Sequence, residues 1–92
     1  MDVAERVYKD SAFREKLMAW LVANGIDDPG RTVPIAERPF LADGKLTIRL
    51  FTLNAKGNVQ FDLQAHDDRP LTHEVTVPVI VQPDADVQTW LR

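Results

Sequence analysis

Apolar residues change their spacing as the chain advances, and each spacing predicts an element. From Ser11 to Asn24, Phe13, Leu17, Trp20 and Leu21 recur at i, i+4, i+7 and i+8. That repeat marks one face of an α-helix, apolar as far as Asn24. The Ser11 hydroxyl is a suitable N-cap. Gly25 stands where a left-handed C-terminal residue is wanted, and Ile26 can fold back on the last turn. Upstream, Val3 and Val7 are four residues apart, so "DVAERVYK" is helical as well. It is either a separate short helix or an extension of the next, and Lys9-Asp10-Ser11 argues for a break. Residues 1–26 are thus predicted as helical.

The period then shortens. "DDPG" (Asp27 to Gly30) is a turn sequence, with Pro29 fixing φ and Gly30 permitting positive φ. "RTVPIAERPFLADG" carries Pro34 and Pro39, which are poorly tolerated in a central strand. Residues 27–44 therefore read as a turn and an extended arm with a short edge strand at most. In "KLTIRLFTLN", Leu46, Ile48 and Leu50 alternate with Thr47 and Arg49, the mark of a strand with one buried face. The phase slips at Leu50-Phe51, as at a bulge or a doubly buried strand. "NAKGN" supplies a hairpin turn, and "VQFDLQ" returns with Val59, Phe61 and Leu63 inward. "HEVTVPVIV" is a third strand with Val75, Val77, Val79 and Val81 on one face. Pro78, without an N–H, places it at a sheet edge or turns that position away from its neighbour. Residues 45–82 then form an antiparallel meander. "PDADVQTWLR" closes the chain as a short helix over 84–92, capped by Asp84, with Val87, Trp90 and Leu91 facing the core.

The predicted fold is α+β in two layers: an N-terminal helix packed on a three-stranded antiparallel meander, with a short C-terminal helix. Thr47, Arg49, Gln60, Asp62, Glu74 and Thr76 fall on the face left to water. Ninety-two residues make one domain. A chain of this size buries roughly 60–65% of its unfolded surface, so it folds alone with little stability to spare. Cysteine is absent, which removes disulfides, thiolate metal ligands and cysteine nucleophiles. The balance of 11 basic and 14 acidic residues gives a net charge of −3 and no basic nucleic-acid footprint. "LMAWLVA" is far short of the roughly 20 apolar residues of a membrane span, and the N-terminus lacks a signal-peptide pattern. A cytoplasmic protein is expected, with no membrane association and no nucleic-acid partner.

A helix ending in "AWLVANGID", a polar meander and a last strand "TVPVIVQP" resemble small uncharacterised α+β proteins of actinobacteria and their bacteriophages. The resemblance spans residues 12–83 and carries no catalytic motif. It implies a phage-encoded or actinobacterial accessory protein. The chain departs from that pattern in its Pro-rich arm from Arg31 to Phe40, which is longer and changes the surface presented.

Candidate chemistry concentrates in "HDDRPLTHE", which holds both histidines. His66, Asp67, Asp68, His73 and Glu74 are metal-ligand types, and a metal-dependent hydrolase using the His66–Glu74 loop is one reading. Against it, no helix sets the two histidines on a shared face, Arg69 opposes a cation, and Pro70 makes the segment a turn. Nor does the chain contain a phosphate-binding glycine loop or a nucleophile elbow. The favoured reading is a non-enzymatic protein-binding or assembly module without a cofactor. Its candidate partner-binding residues are Val33, Ile35 and Phe40 on the arm, Pro78 on the last strand and Trp90 near the chain end. Each of these must otherwise be buried or must cover an open edge. The arm and the Pro78 strand also offer surfaces for a homodimer.

Overall fold

Three aspartate side chains cap helix N-termini in the computed structural model, which describes residues 2–34, 38–62 and 69–92. Asp2 accepts a hydrogen bond from Glu5 N–H (2.8 Å) at the head of α1, Val3–Lys9. Asp10 accepts from Phe13 N–H (3.0 Å) at the head of α2, Ser11–Ala23. Asp84 accepts from Val87 N–H (2.9 Å) at the head of α4, Ala85–Trp90. The cap of α2 is therefore Asp10, with Ser11 as the first helical residue. A carboxylate accepts from the exposed N–H groups as a hydroxyl does and adds a favourable charge at the positive end of the helix. The same residue separates α1 from α2, since its extended backbone breaks the helical run.

The end of α2 follows the sequence closely. Gly25 takes φ 90°, Gly25 N–H bonds to Val22 O (3.0 Å) and Ile26 N–H reaches back to Leu21 O (3.0 Å). This is the paired hydrogen-bond pattern of a left-handed helix stop. "DDPG" is more than a turn: Pro29–Thr32 forms a one-turn helix, α3, with Pro29 in its first turn, where no N–H is needed.

The main sheet is three-stranded and antiparallel in the order β1-β2-β5, with β1 Phe40–Ala42, β2 Lys45–Phe51 and β5 Thr72–Pro78. With the helices it makes an α+β fold. Its membership differs from the predicted meander. The neighbour of β2 on one side is the end of the arm, joined through Asp43 (φ 55°) and Gly44 (φ 72°), with Ala42 opposite Lys45. Asp-Gly with two positive φ values is the tight hairpin turn whose twist matches paired strands. On its other side β2 pairs along its whole length with β5, from Lys45↔Pro78 to Phe51↔Thr72. The segment from Val59 to Asp62 therefore finds both sides of β2 occupied. It retains the "NAKGN" turn and a single bridge, Leu53↔Val59. Beyond that bridge, Phe61–Asp62 (β3) pairs with Arg69–Pro70 (β4) in a separate small ladder. Phe61, expected inward, is 48% exposed, and Leu63, also expected inward, lies outside the described residues.

The registers set one sheet face inward. Leu41, Leu46 and Val77 lie abreast, as do Ile48 and Val75. Leu46 and Ile48 are fully buried, in one core with Val7, Phe13, Leu17, Trp20, Leu21, Ile26, Val33, Val87 and Trp90. Each such large apolar side chain contributes roughly 1.5–3 kcal/mol by leaving water. On the opposite face Thr47 and Thr76 hydroxyls bond across the strands (3.0 Å), and Arg49 approaches Glu74 at 3.6 Å.

Candidate functional site

The edge strand β5 and the corner that follows it form the most specifically built surface. Among the described residues β5 pairs with β2 alone, so its outer side is a sheet edge. Glu74, Thr76 and Pro78 alternate outward along it and are exposed. Pro78 sits opposite Lys45 at the end of the ladder, where its missing N–H costs least. Val79 N–H then bonds to Gly44 O (2.9 Å), and the chain turns away from the sheet.

At that turn α2 takes hold of the backbone. Asn24, only 2% exposed, accepts from Ile80 N–H (2.7 Å) and Val81 N–H (3.0 Å) through Oδ1. Its Nδ2 donates to Trp20 O (2.9 Å) and to Val81 O (3.2 Å). Trp20 Nε1–H donates to the same Val81 carbonyl at 2.8 Å. The amide of Asn24 thus uses both lone pairs and both hydrogens, as a buried amide must to offset its desolvation. While the backbone is held, the side chains stand in water: Ile80 is 72% exposed and Val81 44%.

Charges flank the corner on the helical side. Lys16 Nζ lies 2.9 Å from Asp86 and 3.4 Å from Asp84, and Arg6 lies 3.5 Å from Asp86 and 3.6 Å from Asp10. The hydrogen bond from Lys16 holds the Asp86 carboxyl below its ordinary value, and the same contact raises Lys16. This exposed network joins α1, α2 and α4.

The residues expected to bind a partner are dispersed. Val33 is 7% exposed and Trp90 1%, so both are core residues; their spacing suited docking onto the interior as well as anchoring a partner. The Trp90 Nε1–H is buried and has no hydrogen-bond partner among the described residues. Ile35 lies outside the described residues. Phe40 is half-buried on the polar sheet face, with the Arg92 guanidinium 5.5 Å from its ring centroid. Among the described candidates, Pro78 alone belongs to the exposed edge. Sequence reasoning passed over Ile80, whose signal was its place in "VPVIVQP" on the face opposite the inward valines. It also passed over Asn24, the one polar residue on the apolar stripe of α2.

His66, Asp67 and Asp68 lie outside the described residues. His73 is on β5 beside Leu50, its Nδ1 2.9 Å from Thr52 Oγ1. Among the described residues there is no group of three or more histidine or carboxylate side chains placed to hold a metal ion. Nor is any helix there long and apolar enough to cross a membrane. No protein-family model, no curated protein and no solved structure matches the chain.

Proposed function

We propose that the chain is a non-enzymatic protein-binding or assembly module, an accessory protein of the phage or actinobacterial kind that its sequence resembles. A partner strand would add to the outer edge of β5 and seat an apolar side chain against Ile80 and Val81. The supporting observation is the combination at the corner: two adjacent exposed aliphatic residues on a backbone fastened by buried Asn24 and Trp20. Scattered surface aliphatics are ordinary and need no explanation. A pair whose backbone is already fixed loses little freedom on association, which favours binding. An open sheet edge next to it provides main-chain hydrogen bonds to an extended segment.

A photo-crosslinking side chain at position 80 tests this reading in extracts of the source cells. The expected result is one dominant adduct that excess unmodified protein competes away, and that a probe at exposed Ala55 does not give. An adduct with a second copy makes the assembly homomeric, and one with a different chain makes it an accessory module. Absence of any competable adduct at position 80 overturns the proposal.

A further inference from the structure

The polar face of the sheet carries a concavity of about 270 Å³, unlike the apolar corner in its chemistry. Arg38, Arg49 and Arg92 line it, together with Phe40, Thr47 and Glu74. Glu74 is the one acidic side chain lining it among the described residues, so the lining side chains carry an excess of two positive charges. That local sign opposes the chain's net charge of −3.

The guanidinium groups are held rather than loose. Arg38 donates through Nε to Trp90 O (2.7 Å) and through Nη2 to Thr89 O and Leu91 O (both 3.1 Å). Those bonds occupy one edge of the fork and leave Nη1 uncommitted among the described hydrogen bonds. Arg49 is steadied by Thr72 Oγ1 (3.2 Å) and by Glu74. Arg92 spreads over the Phe40 ring, and its backbone N–H bonds to Pro39 O (2.8 Å). A helix-capping role accounts for Arg38, and a cross-strand pair accounts for Arg49. Neither explains why three arginines drawn from an arm, a strand and the segment after α4 border one hollow.

The geometry points to a binding site for a phosphate dianion. Planar guanidinium groups match phosphate oxygens in pairs, and such charge-assisted hydrogen bonds are among the stronger ones. The two-unit charge excess fits a dianion better than a single carboxylate. Thr47 adds a hydroxyl donor, and Phe40 adds an apolar wall for the carbon skeleton where the phosphate is esterified. The phosphate would be either free in solution or carried on a phosphorylated side chain.

NMR titration at low ionic strength, following backbone amides and arginine Nε–H signals, tests the site. The probes are inorganic phosphate and a short phosphoserine peptide with its unphosphorylated twin. The expected result is saturable shifts at Phe40, Thr47 and Arg49, absent with the unphosphorylated peptide. Affinity should fall as pH drops below about 6, where the phosphate loses its second charge. Arg49→Gln and Arg92→Gln should each weaken binding about tenfold, the loss of one charge-assisted contact, with the fold unchanged by circular dichroism. Equal affinity for both phosphorylated probes indicates a free phosphate, and tighter binding of the peptide indicates a phosphorylated partner. Shifts that never saturate, that spread equally to Arg6 and Arg14, or that survive both substitutions overturn the proposal.

Discussion

Replacing Asn24 by leucine is the sharpest test of how the corner is built. Leucine keeps the branched shape and suits a helix, but its two methyl groups are larger than the amide atoms they replace, so some crowding at this buried position adds to the polar loss. All four side-chain hydrogen bonds of Asn24 disappear. Their partners are not equally harmed. Trp20 O keeps its backbone bond from Asn24 N–H (3.2 Å), and Val81 O keeps Trp20 Nε1–H. The loss falls on Ile80 N–H and Val81 N–H, which have no other acceptor among the described hydrogen bonds. A buried donor left unsatisfied costs about 1–3 kcal/mol. Both groups are only partly buried, so water recovers some of this, and the expected destabilisation is about 2–4 kcal/mol. A domain of this length has roughly 5–14 kcal/mol in total, so the variant still folds. Urea unfolding followed by tryptophan fluorescence reads the change, and hydrogen exchange at Ile80 and Val81 locates it. Asn24→Asp separates acceptor from donor. The new carboxylate still accepts from both N–H groups but faces the Trp20 and Val81 carbonyls at the negative end of α2. Its folded-state pKa is therefore raised, and the variant loses stability as pH rises above about 4, where the unfolded carboxyl ionises. Loss of less than about 0.5 kcal/mol in Asn24→Leu, or rapid exchange at both amides in the unmodified protein, would refute the reasoning.

The two tryptophans should respond differently to phenylalanine. Trp20→Phe removes the donor to Val81 O and should cost about 1–3 kcal/mol, whereas Trp90→Phe discards an unsatisfied N–H and should cost less than Trp20→Phe despite equal loss of volume; matched urea titrations decide, and the reverse order would contradict the assigned bonding. The Asp86 carboxyl is lowered from its ordinary 3.8, so its contribution is present above that value and lost as pH falls through the lower folded value. Lys16 is raised from 10.5, so its contribution is present below that value and lost as pH rises through the higher one. Asp86→Asn should therefore lower the urea midpoint at neutral pH, with the gap to the unmodified protein closing below about pH 4 and shrinking in high salt, as for any exposed pair. A gap that is constant from pH 3 to 7 would show that Asp86 acts through something other than its charge.

What the sequence revealed depended on whether the deciding interaction was local. Helices α1, α2 and α4, the glycine stop after Asn24 and the Asp84 cap rest on residues within one or two turns of one another, so pattern was sufficient; the one-turn α3 read only as a turn. Strand pairing was not local. "VQFDLQ" has the alternation of a central strand, and nothing in those six residues tells that β5 will take the side of β2 it would need. The Asp43-Gly44 pair did encode the alternative, since it is among the strongest short hairpin signals. Two prolines in the arm drew attention away from it, though both precede the paired residues. Burial divided the candidate site for a similar reason. Val33 and Trp90 had the composition of partner anchors, but α2, α3 and α4 enclose them. Ile80 looked like one more valine-rich strand residue until the strand ended at Pro78.

Two sets of long-range polar contacts share a placement that composition could not show. Asn24 and Trp20 tie the end of α2 to the segment leaving β5, and Arg38 ties the segment entering β1 to the last carbonyls of α4. Each joins a helix C-terminus, where carbonyls or the stop must be satisfied, to a strand end, where the ladder no longer supplies partners. The buried apolar contacts hold the middle of the two layers together and leave the strand ends free to splay. Polar clamps at the two outer strands prevent that. Edge strands β1 and β5 are thereby kept in place, and among the described residues no further strand pairs with either, so the edge of β5 and the arginine-lined hollow beside β1 both present fixed geometry. The clamps thus contribute to stability and also order the two margins of the sheet, which the apolar core alone does not reach.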